Sequence, residues 1–219
     1  MPSSRLNAIL TVLKQSKDSG MIHDMTEIDT QVMEQLGLSL HPGAHIDRDC
    51  RIKLAMEAVN SGAEISKVVN LLTWKDFEGL VAGVLSEHQY SCLESYRRRG
   101  TKFLHGMEID VVGVRGRTIL SIDAKMWGVR NGQTAALKTA SKEQKRRTSE
   151  LAQELEALSK RLGTMRAGEY AVYPLVVTWL VEDVQLFEGV AVVPIFKLNS
   201  FILEFDQYED MLAPAIGYL

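Results

Sequence analysis

Apolar residues recur at helical spacing from the start of the chain. Leu6, Ile9, Leu10 and Leu13 lie three and four apart, which predicts an amphipathic helix over residues 5–14. A second short helix is expected over 26–36, ending at Gly37, before a turn at Pro42-Gly43. "RDCRIKLAMEAVN" and "AEISKVVNLL" read as two helices divided by Ser61-Gly62. Two helices around a glycine turn suggest a helix-turn-helix, but neither carries the surplus of Lys, Arg, Asn and Gln that a recognition helix uses.

From Thr73 the pattern changes. Thr73 and Asp76 form a capping box that opens a helix reaching about His88, with Trp74, Phe77, Val81, Val84 and Leu85 expected inside. "QYSCLESYRRR" alternates enough to be a strand, and residues 107–114 and 118–124 are two more, joined by a tight turn around Gly116. A long helix is expected over 141–162, burying Leu151, Leu155, Leu158 and Leu162. "YPLVVTWLV" and "GVAVVPIFKL" are β-branched apolar runs, expected as strands covered on both faces, with a short helix near "YEDMLA". The pattern predicts an α/β fold: residues 73–219 form a mixed β-sheet flanked by helices, and residues 1–72 an all-helical extension for interaction or dimerisation.

With 219 residues and 46% hydrophobic composition, the chain can bury a sizeable core. No apolar run approaches the ~20 residues of a membrane span, and the N-terminus lacks a signal core, so a cytoplasmic protein without a membrane partner is expected. Cys50 and Cys92 are too few for a disulfide framework or a four-ligand zinc site. The net charge of −3 hides an asymmetry. Residues 94–166 carry 16 basic against 8 acidic side chains, whereas both flanking segments are acidic. A basic middle third in an acidic chain points to a polyanionic partner there.

That basic third contains "GMEIDVVGVRGRTILSIDAKMW", residues 106–127, where three charges interrupt two apolar strands. Asp123 and Lys125 are two apart and so share a face. A hairpin at Gly116 brings Asp110 level with Asp123 or one pair away. Two carboxylates and an ammonium then converge. Hard oxygen ligands of this kind suit Mg2+ or Mn2+, and the lysine can orient an attacking water and offset charge on a phosphate. Glu78, on the face of its helix shared with Val81 and Leu85, is expected to reach the same metal. Glu108, in phase with Asp110, is a fallback ligand.

In Glu78 of "DFEGL", Asp110 of "EIDVV" and Asp123-Ala124-Lys125 of "SIDAK", the chain resembles the PD-(D/E)xK nuclease superfamily, the restriction-endonuclease-like fold, over roughly residues 73–205. Within it, the chain looks most like archaeal Holliday-junction resolvases and Mrr-like restriction enzymes. The resemblance implies a metal-dependent endonuclease acting on DNA. Asp110, Asp123 and the Ala124 carbonyl would be metal ligands, Lys125 the catalytic lysine, and Glu78 an outer or second-metal carboxylate. Asp-Ala-Lys stands where many members have Glu-x-Lys. Gln144 and Arg147 align with Leu151, which turns Gln144 toward the sheet, where the family often places a glutamine against substrate or metal-bound water.

Arg97, Arg98, Arg99, Lys142, Lys145 and Arg146 are candidates for a DNA-backbone track. Trp127 could stack on a base, Trp74 and Trp179 are expected as core or rim, and His105 is expected to be solvated. Two other readings stay open: a nucleic-acid-binding protein on the same fold that does not cut, and an internal ion pair with only a structural role. Cutting both strands of a duplex calls for two sites, so a homodimer is expected, built from the faces Leu6-Ile9-Leu10-Leu13 and Val32-Met33-Leu36.

Overall fold

The structure, a computed structural model, describes residues 4–100, 106–126, 133–179 and 185–219. The chain divides into two units, Met1–Leu80 and Val81–Leu219.

The first unit holds α1 (Ser4–Ser19), α2 (Thr30–Gln35), α3 (Arg48–Asn60), α4 (Ile65–Val69) and the start of α5 (Trp74–Glu87). Side-chain caps set two of these helices. Asp29 accepts from the amides of Gln31 and Val32 at the start of α2, and Asp47 accepts from Cys50 at the start of α3. Leu6, Ile9, Val12 and Leu13 of α1 are buried, as are Leu54, Ala55 and Ala58 of α3. Met33 is buried and Val32 and Leu36 are half-buried. The apolar faces expected to meet a second copy are thus largely covered within the chain.

Arg51 ties the unit together. Its buried guanidinium donates to Asp76 Oδ2 (3.1 Å), Leu13 O (2.9 Å), Ser16 Oγ and Leu71 O (2.6 Å). The expected capping box opens α5: the Thr73 amide donates to Asp76 Oδ2 (2.8 Å) and the Asp76 amide to Thr73 Oγ1 (3.2 Å). Trp74 departs from expectation. It is 56% exposed, with the Lys75 ammonium 4.0 Å from its ring centroid, because a residue one position inside the cap points away from the buried line of Phe77, Leu80 and Val81.

The second unit contains the rest of α5, then β1 (Ser91–Arg98), β2 (Met107–Arg115), β3 (Thr118–Lys125), α6 (Gln133–Ala152), α7 (Leu155–Leu162), β4 (Glu169–Thr178), β5 (Leu186–Phe187), β6 (Val190–Pro194), α8 (Ile195–Leu203), α9 (Phe205–Tyr208) and β7 (Ala215–Tyr218). Among the described residues these strands form a seven-stranded mixed sheet flanked by helices, in the order β1-β2-β3-β4-β6-β5. The meander β1-β2-β3 is antiparallel, and β3, β4 and β6 run parallel. The outer edge of β4 is shared: its first half pairs with β7 and its second half with β6.

The expected long helix is instead two. α6 begins eight residues before position 141, and α6 and α7 are separated where the Gln153 and Glu154 amides bond three residues back rather than four. Leu151, Ala152, Leu155 and Leu158 still form one core with Ile109, Ile119, Tyr170 and Val172. The run "GVAVVPIFKL" is also two elements. The strand stops at Pro194, and Ile195, Leu198, Phe201 and Ile202 bury the inner face of α8 at helical spacing. No helix among the described residues is long and apolar enough to cross a membrane.

Candidate active site

The Asp110–Lys125 motif lies in the second unit, where β2 leaves β3. Their antiparallel register runs from Arg115↔Thr118 to Val111↔Ile122 and stops there, so the next pair in phase is Asp110 and Asp123. The β1–β2 ladder is also interrupted at this point. Glu94↔Val111 and Tyr96↔Ile109 are paired, while the intervening Ser95 adopts φ 50°, the left-handed region that costs a non-glycine residue ~1–2 kcal/mol. Asp110 therefore sits where β2 parts from β3, level with the β1 residue of positive φ.

The Asp110 carboxylate is re-employed there. Asp110 Oδ2 accepts from the Ala124 amide at 2.8 Å, taking the place of a ladder carbonyl. The N–H and C=O of one strand residue project to the same edge, so the Ala124 carbonyl faces the gap that β2 leaves. The Lys125 carbonyl faces the other way, accepting from the Trp179 amide at 3.2 Å.

Asp123, Lys125 and Ser121 share the face of β3 that meets α6. The Asp123 side chain is only 3% exposed and touches two cations. Lys125 Nζ lies 3.0 Å from Oδ1 and 2.9 Å from Oδ2, and Arg147 donates to Oδ1 at 3.0 Å. The contact to Oδ2 is an ion pair at an angle that leaves this buried oxygen without a hydrogen bond. Helical side chains lean toward the N-terminus, so Arg147 reaches back along α6 to Asp123. One turn earlier, the fully buried Gln144 donates through Nε2 to Ser121 Oγ at 2.9 Å. Gln144 Oε1 is buried without a partner, as are Ser141 Oγ and Thr148 Oγ1 on the same helix face. Lys125 and Arg147 are each 25% exposed, which places Asp123 inside and its two cations at the rim.

The structure thus brings Asp110, Asp123, Ala124, Lys125, Gln144 and Arg147 into one cluster. Gln144 faces inward as its alignment with Leu151 predicts. Arg147, in line with Gln144, grips the Asp123 carboxylate. Ser121 and Ser95 escaped the sequence reading; a lone serine in the run Ile119-Leu120-Ser121-Ile122, in phase with Asp123, was the available signal for the first. Glu108 is taken up by Arg97 at 2.6 Å on the exposed side of β2. Glu78 belongs to the first unit, where it is buried on α5 and bonded to Lys75 Nζ at 2.8 Å. His105 and Trp127 lie outside the described residues. Trp179 is half-buried, with Nε1 among the buried donors that lack a partner.

The other basic residues are distributed unevenly. Arg98 bridges Glu150 (2.5 Å) and Glu154, and Arg146 pairs with Glu143 (3.0 Å) and Glu150. Arg99 is exposed. Burial pushes the Cys50 and Cys92 thiols above the ordinary cysteine range, so neither offers a ready thiolate. Among the described residues no group of three His, Cys, Asp or Glu side chains is placed to hold a metal ion. Any ion at this cluster would have to rest on two carboxylates and backbone oxygen.

No protein-family model matches the chain. An uncharacterized protein of Archaeoglobus fulgidus is 25% identical over 137 residues, covering 63% of this chain and 95% of that protein. Among solved structures, protein VC1899 from Vibrio cholerae aligns with 94% of this chain at 13% identity and a TM-score of 0.41, and this chain spans about half (51%) of its length. The small subunit of the heterodimeric restriction endonuclease R.BspD6I aligns over 72% of this chain and 79% of its own, at 12% identity and a TM-score of 0.35. At such distances the functional reading rests on the residues of the site.

Proposed function

We propose that this protein is a divalent-metal-dependent endonuclease that hydrolyses phosphodiester bonds in DNA, with the Asp110–Lys125 cluster as its active site. The observation that carries this reading is a buried Asp123 carboxylate, one oxygen without a hydrogen bond, beside a second carboxylate anchored on the Ala124 amide.

The residues fit a Mg2+ or Mn2+ ion. Asp110, Asp123 and the Ala124 carbonyl are hard oxygen donors at the carboxyl end of β3, and a cation at Asp123 Oδ2, which makes no hydrogen bond, would take over from the Lys125 ammonium 2.9 Å away. Two carboxylates against two cations sum to zero, so a dication leaves an excess of +2. A phosphodiester and the further negative charge of its transition state offset that excess. When bound, the ion polarises the phosphate and acidifies a water. Lys125, a quarter exposed at the rim, would exchange its contact with Asp123 for that water or the developing charge. Arg147 then keeps Asp123 countered, and the Gln144–Ser121 bond holds α6 in place.

The test is cleavage of plasmid and branched, single-stranded and duplex oligonucleotides with Mg2+ or Mn2+. Asp110→Ala and Asp123→Ala should abolish cutting, and Lys125→Met should slow it by ~10²-fold or more. Glu78→Gln probes the remaining carboxylate of the resemblance. If wild type cuts and both aspartate variants cut as well, the assignment is wrong.

A second reading, a nucleic-acid-binding protein that does not cut, is favoured by one observation: Lys125 and Arg147 already neutralise Asp123 without any metal. Calorimetric Mn2+ uptake that disappears in Asp110→Asn supports the nuclease, whereas no uptake by wild type selects the binding protein.

A further inference from the structure

The basic third of the chain separates into two sets. Arg97, Arg98, Arg146 and Arg147 are each matched to carboxylates within 3.0 Å. Lys138, Lys142 and Lys145, at i, i+4 and i+7 of α6, form a stripe on the flank that faces the β5–β6 turn. Lys138 and Lys142 are exposed and Lys145 is half-buried. Lys145 donates to the Glu188 carbonyl at 2.6 Å, an acceptor that cancels no charge. Among the described residues the stripe meets one carboxylate, that of Glu188, 3.8 Å from Lys142. The Phe187 ring is near two of the ammoniums, its centroid 5.6 Å from Lys138 Nζ and 5.8 Å from Lys142 Nζ. It holds both stems against the turn at a spacing where cation–π attraction operates.

We propose that Lys138, Lys142 and Lys145 are the phosphate-contacting track of this protein on DNA, and that Arg97, Arg98 and Arg146 brace the fold; the proposal rests on the nucleic-acid reading above. The physical basis is counterion release. Binding to DNA gains free energy when a cation displaces salt ions condensed on phosphates. A lysine with no carboxylate partner among the described residues, or with one only at the long 3.8 Å of Lys142 and Glu188, can do this at small cost. An arginine fixed to a glutamate must first break its pair, and leaves that glutamate facing the phosphates. Three lysines over seven residues span ~10 Å of helix, comparable to about three phosphates at ~3.4 Å of axial rise per strand.

The experiment is fluorescence anisotropy of the full chain with a labelled duplex in EDTA, from about 50 to 200 mM salt. Lys138→Gln/Lys142→Gln/Lys145→Gln should lower the slope of log K against log salt by ~2–3, at ~0.9 per lost phosphate contact. The corresponding triple Arg variant should keep the wild-type slope. Arg97→Gln/Arg146→Gln should leave the slope unchanged, with circular dichroism showing each variant folded. A triple Gln variant that keeps the wild-type slope overturns the track alone. A wild type that does not bind DNA overturns the nucleic-acid reading and the track with it. The same holds if the stripe binds phosphatidylserine vesicles but not DNA.

Discussion

Replacing Arg147 with Met keeps most of the apolar stem and removes the charge. Asp123 is 3% exposed, so it cannot recover the lost partner from solvent, but Lys125 still contacts both of its oxygens. Breaking a buried pair outright costs ~3–5 kcal/mol, and a hydrogen bond to a charged group contributes ~1.5–3 kcal/mol. With one cation remaining and the guanidinium a quarter exposed, the lower bracket applies, about 2 kcal/mol. For a chain of this size that lowers Tm by ~4–8 °C. The decisive measurement is a double-mutant cycle in EDTA, by urea unfolding of the full chain. In an Asp123→Asn background the carboxylate charge is gone, so Arg147→Met should cost about 0.5 kcal/mol and the coupling should be ~1.5 kcal/mol. A coupling near zero would show that Arg147 does not hold Asp123 in solution, and the assignment of Arg147 as its standing counter-ion would fall.

Four further outcomes are expected. Arg51→Met strips four bonds from a buried guanidinium and leaves Asp76 buried, so urea unfolding should show a loss of ~3–5 kcal/mol in the first unit. Gly217→Ala places a Cβ 2.3 Å from the Ala152 carbonyl oxygen on backbone that cannot swing away; it should cost ~3 kcal/mol or more, seen as a lower midpoint at unchanged m-value. Burial, and then the Glu209 carboxylate that accepts its hydroxyl, hold the Tyr173 phenol above the usual tyrosine range. A raised folded pKa stabilises fully below the unfolded value of ~10 and is lost as pH rises through the folded one, so thermal melts of Tyr173→Phe should fall less steeply than wild type at alkaline pH. Light scattering at micromolar concentration tests the expected homodimer: because the apolar faces of α1 and α2 are largely covered within the chain, a dimer would have to use another surface, and a monomer would restrict the proposed site to one strand per encounter.

The central site was legible because its signals are local. Period two puts Asp123 and Lys125 on one face, and the Gly116 turn brings Asp110 opposite Asp123 through a register that any hairpin of that length imposes. Gln144 was legible too, since a polar residue in line with Leu151 has to face the sheet. The partner of Arg147 was not, because helical spacing fixes a flank but not where a long stem ends. The partners of Arg98 were not legible for the same reason: its two carboxylates lie more than fifty residues away in sequence. "GVAVVPIFKL" shows a different failure. An unbroken apolar run hides the period that separates strand from helix, and Pro194 was its one local sign of a boundary.

Stability alone gives no account of why four charges meet at this point. Buried ion pairs seldom stabilise a fold relative to apolar residues of similar volume, which are often neutral or better by ~1–4 kcal/mol. Val, Ile and Leu fill the same sheet immediately before the cluster, so an apolar continuation of β2 and β3 would fit the surrounding packing. Instead β2 parts from β3 at Asp110, Ser95 adopts a strained backbone, and one oxygen of Asp123 is left without a hydrogen bond. Each feature costs folding free energy, and each falls at the carboxyl end of a parallel strand, where open α/β sheets place their ligands. An internal ion pair needs neither the second carboxylate nor the strained backbone at Ser95. A site that exchanges a lysine for a cation and a phosphate needs both.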